Sequence, residues 1–157
     1  EGFLSPADGR IVEIIPAVHP FAGNSVKIGI FMNLLSVHVN RIPADSMVES
    51  LEYIPGRKWM AFQPKASELN ERMCIGLKTP SGPVYLVQVA GFLARRIVCR
   101  LQKGQRVERG ERFGMIRLGS RVDLWLPAEA RLSVAVGDHV ASGKTILGGM
   151  PGTIPEN

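Results

Sequence analysis

The chain has 157 residues, 45% hydrophobic and 21% charged, a balance that suits one globular domain and excludes a disordered polymer. Net charge is +5, but residues 95–121 hold nine lysines and arginines against Glu108 and Glu111, so the basic surface is local and the remainder slightly acidic. Such a patch suits an anionic partner, whether an acidic lipid surface or an anionic substrate. With aromatics at 6% and no recognisable binding module, nucleic acid is not expected.

Short apolar runs, many alternating with period two, recur along the chain and predict strands at 9–15, 25–32, 36–42, 47–53, 73–79, 84–90, 112–118, 122–126 and 131–136. Turn pairs such as Asp8-Gly9, Pro55-Gly56 and Ser81-Gly82-Pro83 separate them, in keeping with 17 glycines and 11 prolines. Helix is expected only near 90–101, where Phe92, Leu93, Ile97 and Leu101 suit a helical stripe, and at 66–71. The fold class expected is mostly β with minor α, in a single domain over 1–157.

Cys74 and Cys99 lack CxxC spacing, so neither a disulfide framework nor a zinc site is indicated, and no metal is expected. The most apolar stretch, 84–94, is interrupted by Gln88 and too short to cross a bilayer. The chain begins at Glu1-Gly2-Phe3 without an initiator methionine, as a trimmed or processed fragment would, which leaves open whether an N-terminal anchor is missing.

Two internal echoes point to a duplicated unit. Gly104-Gln105-Arg106-Val107-Glu108-Arg109-Gly110 and Gly137-Asp138-His139-Val140-Ala141-Ser142-Gly143 share G-x-x-V-x-x-G at an offset of 33 residues. Pro6-Ala7-Asp8-Gly9-Arg10-Ile11-Val12 is matched by Pro127-Ala128-Glu129-Ala130-Arg131-Leu132-Ser133. Two such hammerhead units could pack face to face around one core as a barrel-sandwich hybrid. The pattern is similar to that of biotinyl and lipoyl carriers and of the glucose phosphocarrier, a likeness of fold that leaves function open.

Three residue types suited to a proton relay stand at strand edges or turns. Asp8 lies in the turn before the strand at 9–15; His38 shares one face of an alternating strand with Ser36 and Asn40; Ser120 follows Gly119 in the only Gly-Ser pair. His19 and His139 stand in turn-like contexts and give no such signal. Glycine has no Cβ, so the Gly119 carbonyl carbon is open to close approach by the Ser120 hydroxyl. As alternatives, Lys144 beside Gly143 would serve a carrier module, though no Met-Lys or Asp-Lys-Ala hairpin tip surrounds it, and His38 would serve a phosphocarrier, which gives no reason for the Gly119-Ser120 context or the basic run leading to it.

The chain resembles the phosphatidylserine decarboxylases of the short bacterial type. The segments that carry this likeness are Ser5-Pro6-Ala7-Asp8-Gly9, Ile30-Phe31-Met32-Asn33 leading to Val37-His38-Val39-Asn40-Arg41, and Lys65-Ala66-Ser67-Glu68 with Asn70-Glu71-Arg72. Gln88-Val89-Ala90-Gly91, Ala94-Arg95-Arg96-Ile97 and Glu111-Arg112-Phe113-Gly114 through Gly119-Ser120-Arg121-Val122-Asp123 follow, in the family's order, from residue 4 to about 148.

The resemblance implies a self-processing enzyme. Ser120 attacks the Gly119 carbonyl with His38 as base and Asp8 orienting it, and the chain splits into 1–119 and 120–157. Ser120 becomes a covalent pyruvoyl cofactor that decarboxylates phosphatidylserine, and the two pieces stay associated. It also implies a peripheral enzyme on the cytoplasmic face of the bacterial cell membrane, touching an anionic surface through the stretch 95–121 and through Trp59, Met60 and Phe62; homodimer formation is left open. Leu35 departs from the pattern: some members carry a second histidine there, three positions before the relay histidine. The proton donor to the product carbanion then falls to His38 or an ordered water.

Overall fold

The computed structural model describes residues 2–32, 38–56, 70–91, 97–116 and 119–152, with the backbone alone at His38. The strands in chain order are β1 (Phe3–Leu4), β2 (Gly9–His19), β3 (Gly23–Phe31), β4 (His38–Arg41), β5 (Ser46–Ile54), β6 (Arg72–Thr79) and β7 (Gly82–Val89). They continue as β8 (Ile97–Cys99), β9 (Arg106–Val107), β10 (Arg112–Ile116), β11 (Arg121–Pro127), β12 (Arg131–Leu132), β13 (His139–Val140) and β14 (Ile146–Gly149). An eight-stranded sheet of order β13-β2-β3-β11-β7-β6-β5-β9 curls into an open half-barrel. Two three-stranded sheets, β1-β14-β12 and β4-β10-β8, accompany it.

The mostly-β expectation holds because period-two apolar positions bury one face of each long strand. Ile28 and Ile30 of β3, Val84 and Leu86 of β7, and Val122, Leu124 and Leu126 of β11 all enter the main core, joined by Ile75 and Leu77 of β6. Each such side chain contributes about 1.5–3 kcal/mol relative to exposure. On the opposite face Cys74, Val87 and Val89 form a smaller cluster with Ile54, Tyr85 and Trp125 packed against it.

The helix expected near 90–101 is corrected. Ile97–Cys99 forms β8 and pairs with β10, Cys99 facing Gly114 and Ile97 facing Ile116. The β-branched pair Ile97-Val98 prefers the pleated sheet, and β10 supplies the ladder partners a helix would have satisfied internally. Residues 92–96, which carried half of the expected stripe, lie outside the described residues, as does most of the helix expected at 66–71. Every element among the described residues is a strand.

The duplicated unit is present, and its hydrogen bonds repeat pair by pair. Gly104 and Gly137 donate to the carbonyls of Val48 and Ile11 at 2.7 and 2.8 Å, and Gly110 and Gly143 to those of Ile42 and Ser5 at 2.8 and 2.9 Å. Leu4 donates to the Pro43 carbonyl at 2.9 Å while Arg41 donates to the Pro6 carbonyl at 3.0 Å. This reciprocal exchange is what a two-fold relation produces. The spatial counterpart of Pro6-Ala7-Asp8 is therefore Pro43-Ala44-Asp45, a repeat that the match to Pro127-Ala128-Glu129 had obscured. The four glycines of the two G-x-x-V-x-x-G turns all have φ between 70° and 98°, a region open to glycine and costly for other residues. Their short strands β9 and β13 cap the two ends of the large sheet.

Candidate active site

One end of the large sheet gathers the chemistry-bearing segments. Phe31, the last residue of β3, stands in register with Arg10 of β2 on one side and Arg121 of β11 on the other. The turn bearing Asp8 enters β2 at this end, and Ser120 enters β11 there. β4, tied to the turn that bears Asp8, begins at His38, whose register partner is Ile116 of β10.

Ser120 is wholly buried, and the preceding Gly119 has φ 70°. A residue with a Cβ would be strained there by about 1–2 kcal/mol, so glycine holds the reversal that carries the chain into β11. The Ser120 carbonyl accepts a 2.8 Å hydrogen bond from the Met32 backbone N–H, which extends the β3–β11 ladder beyond both strands.

Asp8 is half-buried at the edge of a cavity of about 190 Å³ lined also by Val39, Arg41, Ala141, Ser142 and Lys144. Its Oδ1 accepts a hydrogen bond from the Ser142 backbone N–H at 2.6 Å. The turn is tied to β4 by Arg41 N–H and Asn40 Nδ2, both donating to the Pro6 carbonyl, at 3.0 and 3.3 Å. The structure thus brings Asp8 to the strand that carries His38 and places Ser120 at the same sheet end. The His38 side chain and Leu35 lie outside the described residues.

Sequence reasoning missed two polar clusters. Gln88 Nε2 donates to Asn40 Oδ1 at 2.9 Å and to the Val98 carbonyl at 3.1 Å, bridging β7 of the large sheet to β4 and β8 of the small one. The interruption of the apolar run 84–94 by Gln88 was its only trace in the sequence. Next to Ser120, the Arg121 guanidinium is 2% exposed and pairs with Asp123 Oδ1 at 2.6 Å and Glu13 Oε1 at 3.1 Å. Lys27 Nζ lies 2.9 Å from the same Glu13 oxygen and 4.0 Å from Asp123 Oδ2. Gly29 makes room for this cluster, since a Cβ there would meet the Arg121 guanidinium. Arg121 and Asp123 sit two apart on one strand and so share a face; their partners are set by a fold-level pairing no local pattern encodes.

The remaining candidates are structural. His19 Nδ1 accepts hydrogen bonds from the Phe21 and Ala22 N–H groups at 3.0 and 3.2 Å, closing the turn after β2, and burial lowers its pKa. Burial pushes the Cys74 and Cys99 thiols up, which keeps them protonated and unreactive. Lys144 lies between β13 and β14, which pair with different strands, so it is not at the tip of the hairpin a carrier would need. No cluster of three or more His, Cys, Asp or Glu side chains gathers among the described residues.

Comparison with known proteins gives the context for this geometry. The family model described as phosphatidylserine decarboxylase matches residues 1–148. The phosphatidylserine decarboxylase proenzyme of Chlorobium phaeobacteroides (strain DSM 266) is 49% identical over 146 residues, covering 92% of this chain and 69% of the relative. That of Chlorobaculum tepidum is also 49% identical over 146 residues, covering 92% and 68%. That of Prosthecochloris aestuarii is 46% identical over 149 residues, covering 94% and 69%. With a match this long to the family and relatives this close, the chain belongs to the phosphatidylserine decarboxylase family.

Proposed function

We propose that this carboxy-lyase cleaves itself between Gly119 and Ser120 and, so matured, decarboxylates phosphatidylserine to phosphatidylethanolamine and carbon dioxide. The observation that carries the reading is the left-handed Gly119 (φ 70°) immediately before a wholly buried Ser120 whose own carbonyl is anchored. A buried hydroxyl beside a glycine carbonyl, with bulk water excluded, is arranged for attack on its own backbone rather than for hydrolysis of an outside ester.

In this reading Asp8 orients His38, His38 accepts the Ser120 hydroxyl proton, and the Ser120 Oγ bonds to the Gly119 carbonyl carbon. Elimination then leaves a dehydroalanine at residue 120, and its hydrolysis, with loss of ammonia, gives a pyruvoyl group, which would supply a reactive ketone for the substrate amine and an electron sink for loss of carbon dioxide. Around that position the chain's own groups fix the geometry: the Met32 N–H holds the residue-120 carbonyl, and the Arg121 ion pairs hold the next residue in the sheet.

The pieces 1–119 and 120–157 are expected to remain one folded unit. What supports this is that β11 lies between β3 and β7, while β13 and β14 pair with β2 and β1, so three strands of the small piece share ladders with the large one. Docking on an anionic membrane surface, at the cytoplasmic face, fits the exposed cations Arg100, Lys103 and Arg106. Among the described residues no helix is long and apolar enough to cross a membrane. The contribution expected of Trp59, Met60 and Phe62 lies outside the described residues.

The experiment is Ser120→Ala, assayed for chain scission and for carbon dioxide release from phosphatidylserine vesicles. Both are expected to vanish; a Ser120→Ala protein that still releases carbon dioxide overturns the mechanism.

A further inference from the structure

We infer that the backbone N–H of Met32 is a catalytic group of the self-cleavage reaction: it stabilises the negative charge that develops on the residue-120 carbonyl oxygen during elimination. The inference rests on the proposed scission at Gly119-Ser120 and goes beyond it by assigning the electrophilic donor for its second half.

The chemistry locates where charge appears. In the first half the Ser120 Oγ bonds to the Gly119 carbonyl carbon, the Gly119–Ser120 C–N bond breaks, and the residue-120 nitrogen takes up the hydroxyl proton. Gly119 is then held as an ester on the side-chain oxygen. In the second half a base removes the α-proton of residue 120. The electron pair left behind moves onto the residue-120 carbonyl, then returns to form the Cα=Cβ bond as the Cβ–Oγ bond breaks, and Gly119 departs as a carboxylate. An α-proton beside an ordinary amide is a very weak acid. The elimination therefore needs a donor aimed at that carbonyl oxygen, and a preformed hydrogen bond there costs no reorganisation when the charge arrives.

Met32 supplies such a donor. Its N–H lies 2.8 Å from the Ser120 carbonyl oxygen, within the 2.7–3.1 Å band in which such donors act. Both Met32 and Ser120 are wholly buried, so the interaction is little screened by water. Its direction is fixed by the ladder: Phe31, one residue earlier, is in register with both Arg10 and Arg121, leaving the Met32 amide no freedom to turn away. Attached to the residue-121 nitrogen, the carbonyl stays in the chain after scission, so the same N–H goes on facing the oxygen beside the mature prosthetic group.

A ladder bond that merely steadies the sheet would have the same length, so the test separates the two roles. The Met32 peptide N–H is replaced by an ester oxygen, with the hydroxy-acid analogue of methionine incorporated at 32 in the full chain. The same change at Ile28, the register partner of Leu124 in the same strand pair, removes a ladder donor away from the site. Scission is followed by denaturing electrophoresis, and the ester-linked form of Gly119 is trapped with hydroxylamine. The ester at 32 is expected to slow scission on the order of tenfold to a hundredfold and to accumulate hydroxylamine-sensitive chain, while the ester at 28 stays within about twofold of the unmodified protein. Equal slowing by both esters, or an unslowed ester at 32, overturns the inference while the unmodified chain still splits. An unmodified chain that never splits overturns the proposed function itself. Should the ester at 32 fail to fold, the Met32 amide proton in the Ser120→Ala chain must be protected from exchange, and rapid exchange there overturns the inference.

Discussion

Asp8 and Ser142 are joined by a 2.6 Å hydrogen bond from the Ser142 backbone N–H to the aspartate Oδ1, and Asp45 holds the Arg109 N–H in the same way at 2.8 Å. The two bonds are counterparts under the internal two-fold relation, so one aspartate controls for the other. Each closes a G-x-x-V-x-x-G turn; only Asp8 stands beside the strand that begins at His38. Asp8→Asn and Asp45→Asn should each cost about 1 kcal/mol in urea unfolding. Only Asp8→Asn should also slow scission, by tenfold or more, in a denaturing-gel time course. Equal slowing by both would leave Asp8 with a structural role alone.

The ion pairs beside Ser120 cross the proposed scission point, with Glu13 and Lys27 on one side and Arg121 and Asp123 on the other. Removing one member of a buried pair strands the other's charge, at a cost of about 3–5 kcal/mol. Arg121→Met should therefore release the small piece at lower urea than the wild-type protein, measured by size-exclusion chromatography after scission. Gly29→Ala, which drives a methyl group into the guanidinium, should do the same by about 1–3 kcal/mol. Unchanged retention in both variants would mean that the ladders alone hold the pieces together.

Much of this arrangement was legible in the sequence, for identifiable reasons. Most strands built on period-two apolar positions stand within about two residues of the expected ends, because one-sided burial imposes that period, but β2 runs on to His19 where an end at 15 was expected, and the strand expected at 131–136 is the two-residue β12. β1, β9, β13 and β14 were not legible, since elements this short show too little of a period and are set by their partners. β8 was mistaken for helix because Phe92, Leu93, Ile97 and Leu101 fit a helical spacing that the pairing with Gly114 and Ile116 overrides. Asp8, His38 and Ser120 stand out in the sequence as polar residues at turns and edges, and their catalytic roles are the proposal made above. The Arg121–Glu13 and Gln88–Asn40 contacts do not stand out, because they join strands distant in sequence.

Exposed Lys103 and Arg106 belong to the basic stretch expected to meet an anionic surface. Each cation near such a surface contributes about 1 kcal/mol, so the double change to serine should weaken binding to phosphatidylserine-containing vesicles roughly thirtyfold at moderate salt. Sedimentation with vesicles measures this, and an unchanged affinity would place the membrane contact elsewhere on the molecule.

The raised pKa values of Cys74 and Cys99, caused chiefly by burial, carry a pH consequence. The folded state holds both thiols protonated, so this contribution is complete below the unfolded thiol pKa of about 8.5 and is lost as pH rises from there through the raised folded values. The urea midpoint should fall as pH rises above about 8.5, and less so in a Cys74→Ala, Cys99→Ala protein. A fall of equal size in both proteins would assign the alkaline loss to other groups.

Self-cleavage at Gly119-Ser120 is tested most directly by the intact mass of the purified, denatured protein. Two species are predicted, one ending at Gly119 and one beginning at residue 120, the latter carrying a pyruvoyl group in place of the amino-terminal serine. A single unbroken chain that nevertheless decarboxylates phosphatidylserine would contradict the account.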